Sequence, residues 1–444
     1  MKHSATLLAI LGVVGFVVSP AYADLNNLDI GGKIKAMGVY SNNTQDFNND
    51  DDADQDAFAR TEFHIWTQAE LAENVSARVS IEGDRAWNSS DAVLDESGKP
   101  DSEELDIFLE EAFIRVADLY GMPATITVGR QFIEVGDGFV FGDALPFSPE
   151  WFSVLGEHEQ DPFDAIMIEY ELTEDWLLTL VWGKVVETRG DGDDVDHYLV
   201  NLTFLGLEDH VIEGYYLFTK ARGGFGADLG GGSSITNSGL DLNHLGVRAE
   251  GDFFDGLGYH GEFVWQLGDE IKGIDQDISA YALEAGVRWG PESMQENNVS
   301  FGASVTYLSG DDDPTDDDYE AYIQAAENRV FGEIADFFQG LVSNNIVDSA
   351  FTGVFIINVD AEAALTDRLN AALEAYYFMA DDDVIVRDAS GDPLGRTNGN
   401  DDIGWEIDGY LNYEITEDLS AQVAAGFFSP GDAAEDWAAG NDDA

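Results

Sequence analysis

The fold of this chain is decided by residues 58–71, FARTEFHIWTQAEL, which a short turn at 72–74 joins to VSARVSIEGDRAW at 75–87. The first segment alternates two sets of side chains: Phe63, Ile65, Thr67, Ala69 and Leu71 against Glu62, His64, Trp66, Gln68 and Glu70. A period of two residues indicates a β-strand. Strands of about 9–11 residues are long enough to cross a bilayer when they are tilted.

The same pattern recurs along the chain, and we count seventeen such segments between residues 28 and 428. Tight turns alternate with long acidic loops, at 88–104, 135–162, 221–239, 310–350 and 380–401. Outer-membrane barrels have short periplasmic turns and longer extracellular loops. A soluble β-sandwich can show similar alternation. Strand length and the two loop classes favour a transmembrane antiparallel up-and-down β-barrel of 16–18 strands with long acidic extracellular loops.

The two ends of the chain are expected to lie outside the barrel. Residues 1–23 have the pattern of a secretory signal peptide, with a short polar start, an apolar run and an A-x-A cleavage site at Ala21–Ala23. We predict a barrel over 24–432 and an acidic tail over 433–444, in the outer membrane of a Gram-negative bacterium. The count of seventeen is odd, although a chain that begins and ends on one side of the membrane needs an even number. The loop at 310–350 could hide a strand, but the apolar spacing around 319–341 favours a short helix.

The composition narrows the function. The chain carries 88 acidic and 20 basic residues, a net charge of −68, and no cysteine. Nucleic-acid binding needs a basic surface, so it is excluded. The absence of cysteine excludes disulfides and thiol catalysis. The acidic excess fits a hydrated surface in salt water, a cation-attracting vestibule, or both.

Motifs of enzymes are missing from the sequence. It has no G-x-S-x-G, no H-E-x-x-H and no P-loop. We therefore expect no enzymatic activity, no catalytic residue and no cofactor other than loop-bound calcium.

The alternation assigns a set of polar side chains to the barrel lumen, where width and charge would select solutes. The candidate pore-lining residues are Lys33, Lys35, Arg60, Glu62, His64, Arg78, Glu82, Asp84, Glu111 and Arg115. The alternative interpretation is that these charges pair with one another and stiffen the wall. The aromatic-rich loop at 135–162 is expected either to fold inward as a constriction or to pack outside as a lid.

The acidic loops contain candidate calcium ligands. They are Asp50, Asp52, Asp54, Asp311, Asp312 and Asp313. Carboxylate oxygens suit hard cations, but the EF-hand spacing is absent. One alternative is that the acidic loops are simply solvated. Another is that divalent cations bridge them to anionic lipopolysaccharide.

Several short motifs resemble a known family. They are LEEAFIR at 109–115, VGRQ at 128–131, VGDG at 135–138, YLSGDDDP at 307–314 and GFFSPGD at 426–432. Their order and spacing resemble the alginate-export family of outer-membrane porins over residues 28–432. The resemblance implies a monomeric eighteen-strand barrel that passes an anionic polysaccharide outward. It also adds Arg130, within the matched G-R-Q, to the candidate pore-lining residues.

The sequence thus predicts an outer-membrane porin for passive passage of polar or charged solutes, an anionic polysaccharide or another carbohydrate among them. One alternative is a general cation-preferring porin of a marine or halophilic bacterium. Another, of a different class, is a structural or adhesive surface protein with a plugged barrel. The expected partners are outer-membrane lipid, lipopolysaccharide and a small polar solute or polysaccharide, and no nucleic acid. The oligomeric state is open, with a monomer favoured by the resemblance.

Overall fold

The computed structural model describes most of the chain between residues 27 and 434. The described residues are 27–42, 55–87, 106–140, 162–186, 195–221, 240–254, 256–268, 277–291, 298–310, 318–323, 331–334, 353–381, 385–387, 393–396 and 400–434. The predicted signal peptide and most of the predicted acidic tail lie outside them.

Strands dominate the described residues. They are β1 (Asn27–Asn42), β2 (Gln55–Ala72), β3 (Val75–Ala86), β4 (Asp106–Val116), β5 (Ala124–Gln131), β6 (Phe163–Thr173), β7 (Trp176–Val186), β8 (Val195–Leu207), β9 (His210–Ala221), β10 (Leu240–Phe254), β11 (Leu257–Gly268), β12 (Asp277–Trp289), β13 (Ser300–Leu308), β14 (Asp318–Tyr319), β15 (Val354–Thr366), β16 (Leu369–Ala380), β17 (Ile385–Arg387), β18 (Pro393–Arg396), β19 (Asp402–Thr416) and β20 (Leu419–Pro430). A 3₁₀ turn at Leu119–Gly121 precedes β5. Among the described residues, no helix is long and apolar enough to cross a membrane.

Eighteen of these strands form one sheet, and β17 and β18 form a small separate hairpin. The long strands of the sheet pair antiparallel with their neighbours in sequence, which is up-and-down connectivity. Each of the seventeen predicted segments corresponds to one long strand, so the predicted barrel fold is confirmed. The additional member, β14, has only two residues and pairs in parallel with β12. Within the described part of the chain, no strand pairing joins β1 to β20.

The two faces of the wall differ in burial, as β12 illustrates. Its burial alternates strictly from Asp277 to Val287. Ile278, Ala280 and Glu284 are buried, whereas Leu283 and Trp289 are exposed by 41% and 49%. In an outer-membrane barrel the exposed apolar face meets lipid and the other faces the lumen.

The tight turns share a local design. At Thr173 and Thr366 the last threonine of a strand is followed by two turn residues, and its hydroxyl accepts backbone N–H groups of the turn. The strand register shifts by one residue beside these turns, at 171–173 and 364–366, and also at 414–416. Such bulges end a ladder and increase its twist. The T-E-D and T-D-R sequences therefore set the short-loop end of the barrel.

Parts of two long loops, and the segment that follows β20, fold into the barrel. We call residues 132–140 the inward segment; Ile133, Val135 and Phe139 in it are at most 3% exposed. Residues 318–323 and 331–334 also contribute to the same buried apolar cluster, with Tyr322 and Phe331. The chain re-enters this cluster after β20, where Ala433 and Ala434 are fully buried.

The helix predicted over 319–341 is wrong for its described residues. Residues 318–319 form β14, and 320–323 and 331–334 are not helical. The backbone of this stretch bonds to the wall instead: Tyr322 donates its N–H to Ser309, and Ile323 both donates to and accepts from the Gln266 side chain. Tyr322 and Phe331 in this stretch are buried, but the wall, and not a helix, forms the hydrogen bonds to its backbone groups.

Candidate functional site

The inward segment is held in the lumen by charged groups of the wall. The backbone N–H of Asp137 donates to the carboxylate of Glu262 on β11. Arg248 on β10 approaches Asp137 with Nε 2.5 Å from Oδ1. Arg248 also lies 3.2 Å from Glu213 and 2.7 Å from Glu250. Bonds that involve ions are stronger than neutral ones, so this cluster fixes where the segment crosses the lumen.

Gly136 makes this docking sterically feasible. Its φ of +70° lies in the left-handed region, which side chains other than glycine adopt at a cost. A Cβ placed on Gly136 would lie 2.2 Å from Oε1 of Glu262. The V-G-D-G motif is therefore where the backbone of the inward segment closely approaches the Glu262 carboxylate.

A second loop closes over the inward segment. The hydroxyl of Tyr322 donates to the carbonyl of Phe139 at 2.9 Å, and the two rings meet edge to face. Burial, reinforced by the charge of Glu262, raises the pKa of the Tyr322 phenol well above its usual range. The phenol therefore stays a neutral donor. Of the two alternatives for the loop at 135–162, inward folding and an outer lid, its described part, residues 135–140, shows inward folding.

The charged residues predicted on β1, β2 and β3 come together in pairs. Glu62 lies 4.0 Å from Lys35 and 3.6 Å from Arg60. Lys33 and His64 are register partners on neighbouring strands. Glu62 is buried, which fits a position between two basic groups.

The same arrangement continues onto β4. Arg78 contacts the carboxylate of Glu111 and stacks over Trp66, 4.8 Å from its ring centroid. Glu82 is buried like Glu111. Asp84 is the register partner of Glu62.

Two predicted arginines are placed differently from each other. Arg115 faces the same side as its register partner Thr127, which is buried, and lies 3.4 Å from Glu169. Arg130 is the register partner of Ala112 and alternates with the buried Gln131, so it lies on the opposite face. This differs from the predicted lumen position. At the end of β5, Arg130 instead binds the Leu109 carbonyl at 2.8 Å.

Sequence alternation missed Glu110. It follows Leu109 and precedes Glu111, so a strict period of two places it outside. The β3–β4 register shifts here: Ser80 pairs with Glu111 and Ile81 with Leu109, which leaves Glu110 as the extra residue of a bulge. The bulge brings Glu110 within 2.5 Å of His64 Nε2.

A further acidic group lies on the inner face of β16 and β19. Glu374, Glu406 and Asp408 are buried on β16 and β19, and Glu333 is buried beside them. Their carboxylates accept backbone N–H groups of 333–334 and the Tyr410 hydroxyl. The alternation of Trp405, Ile407 and Gly409 with acidic residues was the available sequence signal for this group.

The candidate calcium ligands Asp50, Asp52, Asp54, Asp311, Asp312 and Asp313 lie outside the described residues. They remain a sequence-based prediction.

Comparison with known proteins places the chain in a family. The model of the alginate export family matches residues 26–441. The chain belongs to the alginate export family. Nearly its whole length is matched, including all seventeen long strands. No curated protein matches the sequence.

Solved structures of outer-membrane channels are similar to this alginate-export-family chain in fold. OccAB2 of Acinetobacter baumannii has a TM-score of 0.55 at 8% identity, with 92% of this chain and 93% of that chain covered. OccAB4 of the same organism has a TM-score of 0.53 at 11% identity, with 93% of this chain and 96% of that chain covered. OccK5 (OpdH) of Pseudomonas aeruginosa has a TM-score of 0.51 at 10% identity, with 91% of this chain and 93% of that chain covered. At these identities the likeness establishes the fold alone.

Family and fold together define the protein as an outer-membrane channel for solutes in a Gram-negative bacterium. The family is one of transporters.

Proposed function

We propose that this alginate-export-family channel passes small polar solutes, and cations in preference to anions, through a lumen narrowed by the inward segment. The observation that carries the proposal is the pairing of basic groups with carboxylates. Lumen charge selects ions by attraction and repulsion, and an arginine already paired with a carboxylate attracts anions weakly.

The pairing extends around the described wall. On the inner face of the described wall, the lysines and arginines in ion pairs with carboxylates include Lys35, Arg60, Arg78, Arg115, Arg248 and Arg288. Arg248 has three acidic neighbours and Arg288 has two. Because acidic partners outnumber the basic groups at these points, the net charge that a solute meets is negative.

The test is ion selectivity in planar bilayers. The full chain, refolded in detergent and reconstituted, should give a reversal potential in a KCl gradient with the sign expected for K⁺. A reversal potential of the opposite sign would contradict the proposal. A complete lack of conductance from correctly folded protein would favour the structural or adhesive alternative.

A second candidate cargo is an anionic polysaccharide, favoured by the family match and by the position of Arg115. Its side chain is 51% exposed, more than that of any other basic residue found in an ion pair with a carboxylate. A polyuronate should then block the K⁺ current when added on the short-turn side. A neutral polysaccharide of the same length is the matched control, and equal block by both would remove this candidate.

A further inference from the structure

Three ligand-bearing side chains meet where the inward segment touches the wall. They are Asp137, His260 on β11 and Glu284 on β12. All three are buried, and one ligand atom from each lies within 4.8 Å of the other two. His260 Nδ1 is 3.3 Å from Asp137 Oδ2 and 3.5 Å from Glu284 Oε1.

These separations fit a shared metal ion. Two ligand atoms at about 2.0–2.1 Å from a tetrahedral metal lie about 3.3–3.4 Å apart. The donor set, one imidazole nitrogen and two carboxylate oxygens, suits Zn²⁺ and related transition metals, whereas Ca²⁺ and Mg²⁺ prefer oxygen alone.

The surrounding groups orient the ligands in the way that metal sites require. The second oxygen of each carboxylate is engaged elsewhere: Asp137 Oδ1 by Arg248 and Glu284 Oε2 by the Thr306 hydroxyl at 2.8 Å. The first oxygen of each is thereby turned toward His260. Outer hydrogen bonds of this kind fix first-shell ligands and tune their affinity.

The imidazole lies in a space that only glycine leaves open. His260 is the register partner of Gly286, and a Cβ on Gly286 would lie 2.1 Å from His260 Nε2. The ring therefore lies over Gly286 of β12, with Nδ1 toward the two carboxylates.

Charge balance favours a cation at this point. Asp137, Glu262 and Glu284 are each no more than 2% exposed, and they share the cluster with Arg248 and His260. Buried charges are costly unless they are compensated. A divalent ion would compensate the acidic excess while His260 remains neutral.

We propose that Asp137 Oδ2, His260 Nδ1 and Glu284 Oε1 form a site for a divalent transition metal, which ties the inward segment to β11 and β12. The ion preference of the pore and this site are independent, so either proposal can fail alone. The competing arrangement is a protonated His260 that bridges the two carboxylates without metal.

Zinc binding to the full chain tests the proposal. Protein in detergent is stripped with a chelator and titrated with Zn²⁺ in a large excess of Ca²⁺, which competes for sites built of oxygen ligands alone. Wild type should retain one Ca²⁺-resistant Zn²⁺. Loss of an outer partner alone costs about 10- to 100-fold in affinity, so His260→Gln should weaken binding by at least about 100-fold.

The matched control is His210→Gln, which removes an imidazole that bonds Tyr259 at the short-turn end of β9. It should bind Zn²⁺ as wild type does. Absence of Ca²⁺-resistant zinc in wild type, or equal binding by His260→Gln, would overturn the proposal.

A measurement on wild type alone covers the case in which His260→Gln does not fold. X-ray absorption of the zinc-loaded chain should show one imidazole nitrogen at about 2.0–2.1 Å together with oxygen ligands. A spectrum with oxygen ligands only would show that His260 does not bind the zinc and would overturn the site.

Discussion

Replacement of Gly136 by alanine should release the inward segment and enlarge the pore. Gly136 has a φ of +70°, and the added Cβ would lie 2.2 Å from Oε1 of Glu262. The carboxylate would have to move away from the two groups that donate to it, the backbone N–H of Asp137 and the hydroxyl of Tyr215.

The magnitude follows from two contributions. The left-handed conformation costs a residue with a Cβ about 1–2 kcal/mol. Loss of one hydrogen bond to a charged group costs about 1.5–3 kcal/mol. Their sum is at least about 2.5 kcal/mol, which shifts the docked-to-undocked ratio of the segment by about 60-fold or more.

The assay is single-channel recording in planar bilayers. Gly136→Ala should add open substates of higher conductance and admit larger neutral polymers than wild type. The matched control is Gly121→Ala: its φ is +76°, but nothing lies within 4 Å of the added Cβ. This control carries the same backbone cost of about 1–2 kcal/mol and should conduct as wild type does. Unchanged conductance in correctly folded Gly136→Ala would refute the assignment of the inward segment as the constriction.

Three further changes test other parts of the structure. Tyr322→Phe removes the donor to the Phe139 carbonyl at a cost of about 1–3 kcal/mol, and should produce substates less often than Gly136→Ala; recordings identical to wild type would show that this bond does not hold the segment. Leu283→Lys, in the middle of the outer face of β12, should lower the free energy of unfolding by about 2–4 kcal/mol, measured by urea titration of the protein folded into vesicles. Leu365→Lys, beside a short turn, should cost only about 0–1 kcal/mol, and equal costs would contradict the assigned depth in the membrane. Arg115→Glu should raise the ratio of cation to anion permeability, and an unchanged ratio would remove Arg115 from the ion path.

The strands could be predicted from sequence because their signal is local. Alternation in 58–71 and 75–87 reports which face each residue takes without any knowledge of its partners. The same rule failed at Glu110, because a bulge depends on the register between β3 and β4. Arg130, by contrast, was assigned to the lumen from a motif and not from alternation, and it lies on the opposite face.

The docking of the inward segment could not be predicted in detail because its contacts are distant in sequence. Asp137 and Glu262 are 125 residues apart. The sequence contained the V-G-D-G motif and an aromatic-rich loop, which left inward and outward packing open. His260 and Glu284 each occupy an ordinary inward position of their strand, and only the folded wall brings them to Asp137.

The strict alternation of β12 has a consequence for how this protein can change over evolutionary time. Neighbouring residues such as Leu283 and Glu284 lie on opposite faces of the wall, one toward lipid and one toward the lumen. A substitution at one of them therefore has little effect on what the other position requires. During evolution, substitutions on the inner face can therefore change which solutes pass, while the outer face stays adapted to the same lipids. In a complete substitution scan of β12, changes at the outward positions should therefore mainly affect membrane insertion. Changes at the inward positions, which alternate with them, should mainly affect permeation.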